Sequence, residues 1–140
     1  MNSLKENIRD FDHIGIPCWD IEETIRWYTE YLGFEAVHEP AVETDEGTVK
    51  VAFLKRGDFI LEFYQLLGAD YAEVKNRSDG HIDHFALEVT DINTAFAQAT
   101  ELGLNPMEDA PVHLDFWENG IAYFKVRGPS REVVEFIQKL

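Results

Sequence analysis

The chain repeats itself once, and this repeat restricts the possible fold more than any other feature of the sequence. The segment DHIGIPCWDIEETIRWYTEYLGF, which starts at Asp12, matches DHFALEVTDINTAFAQATELGL, which starts at Asp83. A second block, LEFYQ from Leu61 to Gln65, matches VEFIQ from Val134 to Gln138. Because the two blocks occur in the same order in each half, we expect two copies of one structural unit.

Each copy begins with a strand that is followed by a helix. Apolar residues alternate along Phe11 to Cys18 and along Ile82 to Val89, which is typical of a strand with one buried face. Asp20 and Asp91 then occupy helix N-cap positions before apolar stripes at helical spacing, and Gly33 ends the first of these helices. Three more strands are predicted in the first copy, around Ala36 to Val42, Thr48 to Leu54 and Phe59 to Leu66.

The predicted unit is therefore strand, helix, strand, strand, strand. Units of about 70 residues have marginal cores of their own, so we expect the two copies to pack their sheets together. The expected architecture is an α+β single domain over residues 1–140, made of two βαβββ modules at about 9–70 and 80–140. No Gly, Ser or Pro-rich linker separates the modules.

Composition excludes several classes of function. The chain has 140 residues with a formal net charge of −15, so nucleic-acid backbones and anionic lipid surfaces are repelled. Apolar residues make up 45% of the chain, but no run has the length of a membrane-spanning helix. The single cysteine, Cys18, has no intramolecular disulfide partner, and together with the absence of a signal-like N-terminus it predicts a cytoplasmic protein.

Four polar residues lie at equivalent positions of otherwise apolar strands. His13 and His84 are each followed two residues later by a small residue, and Glu62 and Glu135 are flanked by large apolar ones. A buried carboxylate has to be paired or coordinated, because an isolated buried charge is very costly. Two imidazoles and two carboxylates suit a divalent transition metal with positions left for water or substrate. The alternative interpretation is that the histidines bond to neighbouring aspartates and the glutamates face solvent.

Further residues are candidates for substrate contacts. Tyr64 shares a strand face with Glu62, and its hydroxyl suits an oxyanion. If the strand around PVHLDFW is regular, His113 and Trp117 lie on one face and line the same pocket, although an edge strand at a dimer surface fits equally well. Lys50 belongs to a set of basic residues that flank the expected cleft and suit a carboxylate or phosphate, the alternative being solvated loop charges.

The paired DHIGI/DHFAL and LEFYQ/VEFIQ blocks resemble the vicinal oxygen chelate superfamily, which includes glyoxalase I, methylmalonyl-CoA epimerase, extradiol dioxygenases and fosfomycin-resistance proteins. The resemblance runs from Phe11 to Gln138. It implies two βαβββ modules whose mixed sheets curl around a metal cleft, usually in a homodimer. It also implies that one divalent ion per chain, Ni, Co, Zn or Mn, is held by four ligands: His13, Glu62, His84 and Glu135.

Departures from individual members of the superfamily narrow the choice of reaction. Pro17 and Leu66 stand where bacterial glyoxalase I enzymes typically place polar residues for glutathione, and neither side chain can hydrogen-bond a carboxylate. Lys50 stands where methylmalonyl-CoA epimerases carry a general-base glutamate, and a lysine serves as a base only with a lowered pKa. Extradiol dioxygenases use two histidines and one carboxylate, so the extra Glu62 disfavours them.

The expected function is a glyoxalase I-like lyase or isomerase that removes a carbon-bound proton from a small oxygenated substrate. The resemblance implies Glu135 as the catalytic base, and internal symmetry adds Glu62. One alternative is a CoA-ester epimerase similar to methylmalonyl-CoA epimerase. The other is a protein without catalytic activity that binds a small ligand or antibiotic.

Overall fold

A computed structural model describes residues 3–77, 82–127 and 133–140. The helices are α1 (Leu4–Asn7), α2 (Ile21–Leu32), α3 (Gly68–Lys75) and α4 (Ile92–Glu101). The strands are β1 (Ile8–Pro17), β2 (Glu35–His38), β3 (Ala41–Thr44), β4 (Gly47–Arg56), β5 (Phe59–Gln65), β6 (His84–Val89), β7 (Val112–Leu114), β8 (Ile121–Arg127) and β9 (Val133–Lys139).

The chain forms two compact units, which follow the sequence repeat closely. The first unit is His13–Asp83, and the second combines Met1–Asp12 with His84–Leu140. The N-terminal segment therefore belongs to the second unit. Asn7, which is fully buried, donates from Nδ2 to the backbone oxygen of Asp91 and accepts from the backbone N–H groups of Thr90 and Asp91, and these bonds attach α1 to the start of α4.

The first unit contains a mixed sheet with the strand order β2, β4, β5, β1, in which β3 also pairs with β4. Strands β1 and β5 are parallel, with Gly15 opposite Glu62, and β4 pairs antiparallel with β5, with Phe53 opposite Glu62. Helix α2 packs on one face of this sheet. Its side of the sheet carries a core of Cys18, Ile21, Ala52, Leu54, Leu61 and Phe63.

The second unit repeats this arrangement with the strand order β6, β9, β8, β7. Strands β6 and β9 are parallel, with Ala86 opposite Glu135, and β8 pairs antiparallel with β9, with Lys125 opposite Glu135. Helix α4 covers a core that includes Val89, Ile92, Ala95, Ala99, Ala122, Phe124, Val126 and Phe136. The predicted α+β fold of two βαβββ units with mixed sheets is confirmed.

Matching local signals position the two long helices. Asp20 accepts a hydrogen bond from the backbone N–H of Glu23 at 3.0 Å, and Asp91 accepts one from Thr94 at 2.9 Å, so both predicted N-caps are confirmed. Gly33 ends α2 in the left-handed conformation, with φ of 72°. The capping bond also holds the pKa of the Asp91 carboxyl below its ordinary value.

Two parts of the first unit differ from the sequence prediction. The strand predicted over Ala36 to Val42 is divided into β2 and β3, because Pro40 at the interruption has no N–H for the sheet ladder. Helix α3 was not predicted, and its lack of an amphipathic pattern explains why, since Val74 is its one buried residue. Among the described residues, no helix has the length and apolar character needed to cross a membrane.

Candidate functional site

A histidine and a glutamate meet on the face of the first unit's sheet that α2 leaves uncovered. His13 on β1 and Glu62 on β5 are brought together by the parallel pairing of these strands, and Nε2 of His13 lies 3.2 Å from Oε1 of Glu62. Their side chains are 2% and 12% exposed. Gly15, directly opposite Glu62, contributes no side chain to this face, and the Phe53 ring contacts the His13 ring edge-on at 5.9 Å.

The second unit contains the equivalent pair. Nε2 of His84 on β6 lies 3.8 Å from Oε1 of Glu135 on β9, and the two side chains are 8% and 9% exposed. Ala86, the counterpart of Gly15, lies opposite Glu135. The interpretation in which the glutamates face solvent is therefore wrong for Glu135 and disfavoured for Glu62. In each unit one imidazole and one carboxylate are therefore shielded from water, with the histidine Nε2 next to the glutamate Oε1.

The donor atoms have the chemistry and spacing of metal ligands. With metal–ligand bonds of about 2.1 Å, neighbouring ligands of an octahedral ion lie about 3 Å apart, and those of a tetrahedral ion slightly further. The His13–Glu62 separation of 3.2 Å and the His84–Glu135 separation of 3.8 Å are close to these values. The residues present in each unit therefore fit a divalent transition ion, since neutral imidazole and carboxylate are both ligands that such ions accept.

The predicted substrate-contacting residues occupy different surroundings. Tyr64 lies on the Glu62 face of β5, opposite Val51, and its hydroxyl oxygen is buried. His113 lies at the middle of β7 and is exposed. The expectation that one regular strand carries both His113 and Trp117 is wrong, because β7 ends at Leu114 and Trp117 has a positive φ of 62° in the following turn.

Lys50 lies on the opposite face of the first sheet from Glu62. It pairs with Gln65 in the β4–β5 register, whereas Val51 and Phe53 share the Glu62 face. Its Nζ atom is 3.2 Å from the Glu22 carboxylate on α2. Lys50 therefore forms an exposed ion pair with α2 on the other side of the sheet. Its position does not support the predicted substrate contact beside Glu62.

Lys139 contributes to the surroundings of Trp117, and the sequence interpretation did not identify it. Its Nζ atom lies 3.3 Å from the Asp12 carboxylate, which is 4% exposed, and 5.0 Å from the centre of the Trp117 ring. A cation over an indole face stabilises the ring in one orientation. Lys139 follows the VEFIQ block directly, whereas Leu66 follows the LEFYQ block of the first copy. The repeat therefore gave no reason to select Lys139.

The final glutamine of each repeated block also has a role that the repeat alone did not reveal. The Gln65 side-chain oxygen accepts a hydrogen bond from the backbone N–H of Ile21 at 3.0 Å, and Gln138 accepts one from Ile92 at 2.8 Å. Each glutamine therefore ties the last strand of its unit to the first residue of the helix. The repeated motif encodes both a site carboxylate and the anchor of the neighbouring helix.

Cys18 is a core residue, as predicted, and its chemistry fits that role. Burial among the residues beneath α2 raises the pKa of the thiol to about 11, despite a hydrogen bond with Thr24 that acts in the opposite direction. A thiol with this pKa is almost fully protonated at neutral pH. Nucleophilic catalysis by Cys18 is therefore disfavoured.

Comparisons with known proteins agree with the repeat and the fold. Residues 10–136 match the model of the Glyoxalase/Bleomycin resistance protein/Dioxygenase superfamily. The Bacillus subtilis (strain 168) protein YwbC, described as uncharacterized, is 28% identical over 128 residues, which cover 91% of this chain and 96% of YwbC. YqjC of the same organism, also described as uncharacterized, is 36% identical over 76 residues, or 51% of this chain and 53% of YqjC.

Solved structures with the same fold include two methylmalonyl-CoA epimerases. The enzyme from Mycobacterium tuberculosis has a TM-score of 0.79 and 20% identity, covering 100% of this chain and 92% of the enzyme. A Streptomyces coelicolor epimerase variant in complex with 2-nitronate-propionyl-CoA has a TM-score of 0.77 and 22% identity, covering 94% and 98%. These likenesses establish the fold. Because the family model matches most of the chain, the chain belongs to the Glyoxalase/Bleomycin resistance protein/Dioxygenase superfamily, the vicinal oxygen chelate superfamily that its repeated motifs resemble.

Proposed function

We propose that the protein is a divalent-metal-dependent lyase or isomerase that removes a carbon-bound proton from a small oxygenated substrate. The observation that carries this proposal is the recurrence of one buried His–Glu pair in both units, His13 with Glu62 and His84 with Glu135. Clustered residues of this kind, withdrawn from water, are typical of a site rather than of a solvated sheet face.

One ion of Ni, Co, Zn or Mn per chain would be held by His13, Glu62, His84 and Glu135. The four residues are the ligand set that the superfamily resemblance implies, and their neutral imidazole and carboxylate groups suit such ions. When bound, the ion would acidify the carbon acid by stabilising the negative charge of the enediolate that proton removal creates.

The residues of this site would have two roles: one carboxylate acts as the base, and other side chains orient the substrate. Glu135, once the substrate has displaced it as a ligand, would take the carbon-bound proton on its carboxylate, and Glu62, its counterpart in the repeat, is the second candidate for proton transfer. The Tyr64 hydroxyl, on the Glu62 face, suits donation to a substrate oxygen. His113 and Trp117 remain predicted substrate contacts, and Lys139 would hold the Trp117 ring in place.

The substrate is not expected to be a glutathione adduct. Pro17 at the end of β1 and Leu66 directly after β5 lie beside the strands that carry His13 and Glu62, and neither side chain offers a hydrogen bond. We therefore propose a small oxygenated compound that is recognised without a glutathione carrier. A cytoplasmic homodimer is the expected form of the protein, on the basis of the superfamily resemblance and the single cysteine.

A CoA-ester epimerase is the second candidate function. Epimerisation requires a proton to be removed from one face of a carbon and returned to the other, and two equivalent carboxylates supply the two groups that this needs. The similar structures of methylmalonyl-CoA epimerases support this candidate at the level of the fold. A ligand-binding protein without catalysis is less favoured, because all four expected ligand positions retain ligand-type residues.

Exchange of substrate hydrogen with deuterated solvent tests the proposal. Purified protein is loaded with Ni, Co, Zn or Mn and incubated with methylmalonyl-CoA, the hemithioacetal of methylglyoxal and glutathione, and a panel of small 2-hydroxy ketones. With a substrate that exchanges, Glu135→Gln is expected to lose about 10² to 10⁴-fold in rate. Glu101→Gln, which makes the same change on the exposed surface of α4, is the control.

The same experiment separates the candidate functions. Exchange of methylmalonyl-CoA with loss in both Glu135→Gln and Glu62→Gln supports the epimerase. Exchange of a hydroxy ketone with dependence on Glu135 supports the lyase or isomerase. No exchange by the loaded protein with any compound, or wild-type rates in both variants, contradicts proton transfer and favours a binding protein.

A further inference from the structure

A groove on the outer surface of the first unit has no part in the proposed metal site. It lies along the turn before α2 and the first two turns of that helix, has a volume of about 370 Å³, and is lined by Trp19, Asp20, Glu23, Thr24, Trp27 and Tyr28. Helix α2 buries its opposite side, including Ile21, in the core of the unit. The groove is therefore on the solvent side of the helix, whereas Glu62 lies on the uncovered face of the sheet.

The aromatic residues of the groove are exposed to an unusual degree. Trp19 is 53% exposed and Trp27 is 46% exposed, although large aromatic side chains are usually withdrawn from water. Glu23 and Trp27 are four residues apart on α2, so their side chains are neighbours on one face of the helix. Two indole rings and a row of polar groups therefore share one concave surface of ligand size.

The charge of this surface favours a cation. Asp20 and Glu23 line the groove, and an adjoining cavity of about 540 Å³ is lined by Glu23, Arg26, Trp27 and Glu30. The two cavities contribute three carboxylates and one guanidinium, and with the Lys75 ammonium group beside Trp19 the local charge is still negative. Aromatic faces beside carboxylates are the combination that recognises alkylammonium and guanidinium groups, because the ring quadrupole and the negative charges act in the same direction.

The structure contains one such contact already. The ammonium group of Lys75, from α3, lies 4.4 Å from the centre of the Trp19 ring, and the Tyr71 hydroxyl of the same helix donates to the Trp19 backbone oxygen at 2.9 Å. Helix α3 thus holds Trp19 in place, and the Lys75 ammonium group occupies one face of its ring. We propose that the groove between Trp19 and Trp27 binds a small organic cation of the alkylammonium or guanidinium class.

A second copy of this chain is a poorer occupant. Two copies would bring Asp20 and Glu23 of one groove against the same carboxylates of the other, so pairing of two such grooves is opposed by like charges, and the expected homodimer would use another surface. A small cation instead gains attraction from the carboxylates and needs no large interface. Choline, which has a neutral isostere in 3,3-dimethylbutan-1-ol, and agmatine, which carries a guanidinium group, are suitable probes.

Ligand-observed NMR titration at constant ionic strength tests the proposal, with chelator present so that the metal site plays no part. Choline or agmatine is expected to bind saturably at millimolar concentration, and 3,3-dimethylbutan-1-ol at least about fivefold more weakly. Trp27→Leu and Glu23→Gln are each expected to weaken binding about threefold to tenfold. Glu39→Gln, an equal charge change at an exposed residue of the same unit, is expected to leave it unchanged.

Several results overturn the proposal. Equal binding of choline and its neutral isostere shows that charge is not recognised. Undiminished binding in both Trp27→Leu and Glu23→Gln places the cation elsewhere, and absence of saturation by either probe excludes the site. Tighter binding of an arginine-rich peptide than of agmatine assigns the groove to a basic protein segment, and self-association that Trp27→Leu abolishes assigns it to a second copy.

Discussion

The Nε2 atom of His13 lies 3.2 Å from Oε1 of Glu62, although 48 residues separate them in the chain. The parallel pairing of β1 with β5 brings them together, and the same pairing of β6 with β9 brings His84 to Glu135. The duplicated topology therefore produces the same juxtaposition of imidazole and carboxylate twice. This geometry follows from strand pairing and does not depend on loop conformation.

Replacing Gln138 tests whether the repeated blocks also anchor the helices. Gln138→Ala removes the acceptor for the Ile92 N–H and is expected to lower the free energy of unfolding by about 1 kcal/mol. Gln138→Glu keeps the acceptor oxygen and places negative charge at the helix N-terminus, so it is expected to stay close to the wild type. Urea denaturation measures both, and equal stability of the alanine variant and the wild type contradicts the anchoring role.

Two helix-ending glycines provide a matched test of backbone strain. Gly33 and Gly103 have φ of 72° and 74°, so alanine at either is expected to cost about 1 to 2 kcal/mol of unfolding free energy. A Cβ at Gly33 would also lie 2.5 Å from Nη1 of Arg56, whereas none of the described atoms lies within 4 Å of one at Gly103. The Arg56 side chain, which donates to the Gly33 backbone oxygen, is expected to move aside at a small further cost.

A double-mutant cycle separates these two effects. The further cost of Gly33→Ala is expected to disappear in an Arg56→Ala background, while the cost of Gly103→Ala is expected to be the same in both backgrounds. Thermal and urea unfolding measure the four differences. If Gly33→Ala costs no unfolding free energy at all in the Arg56→Ala background, the prediction is contradicted. The whole cost then comes from the contact with Arg56 and not from the positive φ.

Much of the fold was predictable because the repeat carries local signals at both ends of each long helix. Asp20, Asp91 and Gly33 mark helix boundaries through local hydrogen bonds and backbone conformation, which do not depend on distant contacts. The His and Glu pairs were predictable as a set, because strand parity places His13 and Glu62 away from the helix-facing core.

The remaining features depend on tertiary contacts that leave no local pattern. Helix α3 lacks an apolar stripe. The turn at Trp117 has a positive φ at a residue that is not glycine, so the sequence gives no sign of it. Lys50 was predicted only to flank the cleft, and the β4–β5 pairing, which places Phe53 and not Lys50 on the Glu62 face, is a contact between strands that its own segment does not encode. The ion pair between Lys139 and Asp12 joins residues at opposite ends of the chain.

The Cys18 thiol is expected to react slowly with alkylating reagents. Its pKa of about 11, raised by burial from the ordinary 9.0, lowers the thiolate fraction at pH 8 by about 100-fold. Iodoacetamide labelling followed by mass spectrometry is expected to show at least this slowing relative to the urea-unfolded chain. Equal rates for folded and unfolded protein contradict it.

The same shift determines how Cys18 affects stability at alkaline pH. Because the folded pKa lies above the unfolded one, the contribution of the thiol is fully present below pH 9 and is lost as the pH rises toward about 11. Cys18→Ala is expected to remove this part of the alkaline loss of stability. An identical pH dependence of unfolding between pH 8 and 11 for the variant and the wild type contradicts the assignment.

Metal binding by the two His–Glu pairs is the central claim, and elemental analysis combined with titration calorimetry tests it most directly. Protein purified without chelator, or stripped and titrated with Ni, Co, Zn or Mn, is expected to bind about one ion per chain. His13→Ala and Glu135→Ala, which change one residue in each unit, are each expected to weaken binding at least about tenfold, while Glu101→Ala leaves it unchanged. Full retention of the ion by both site variants, or no binding of any of these metals by the wild type, contradicts the account.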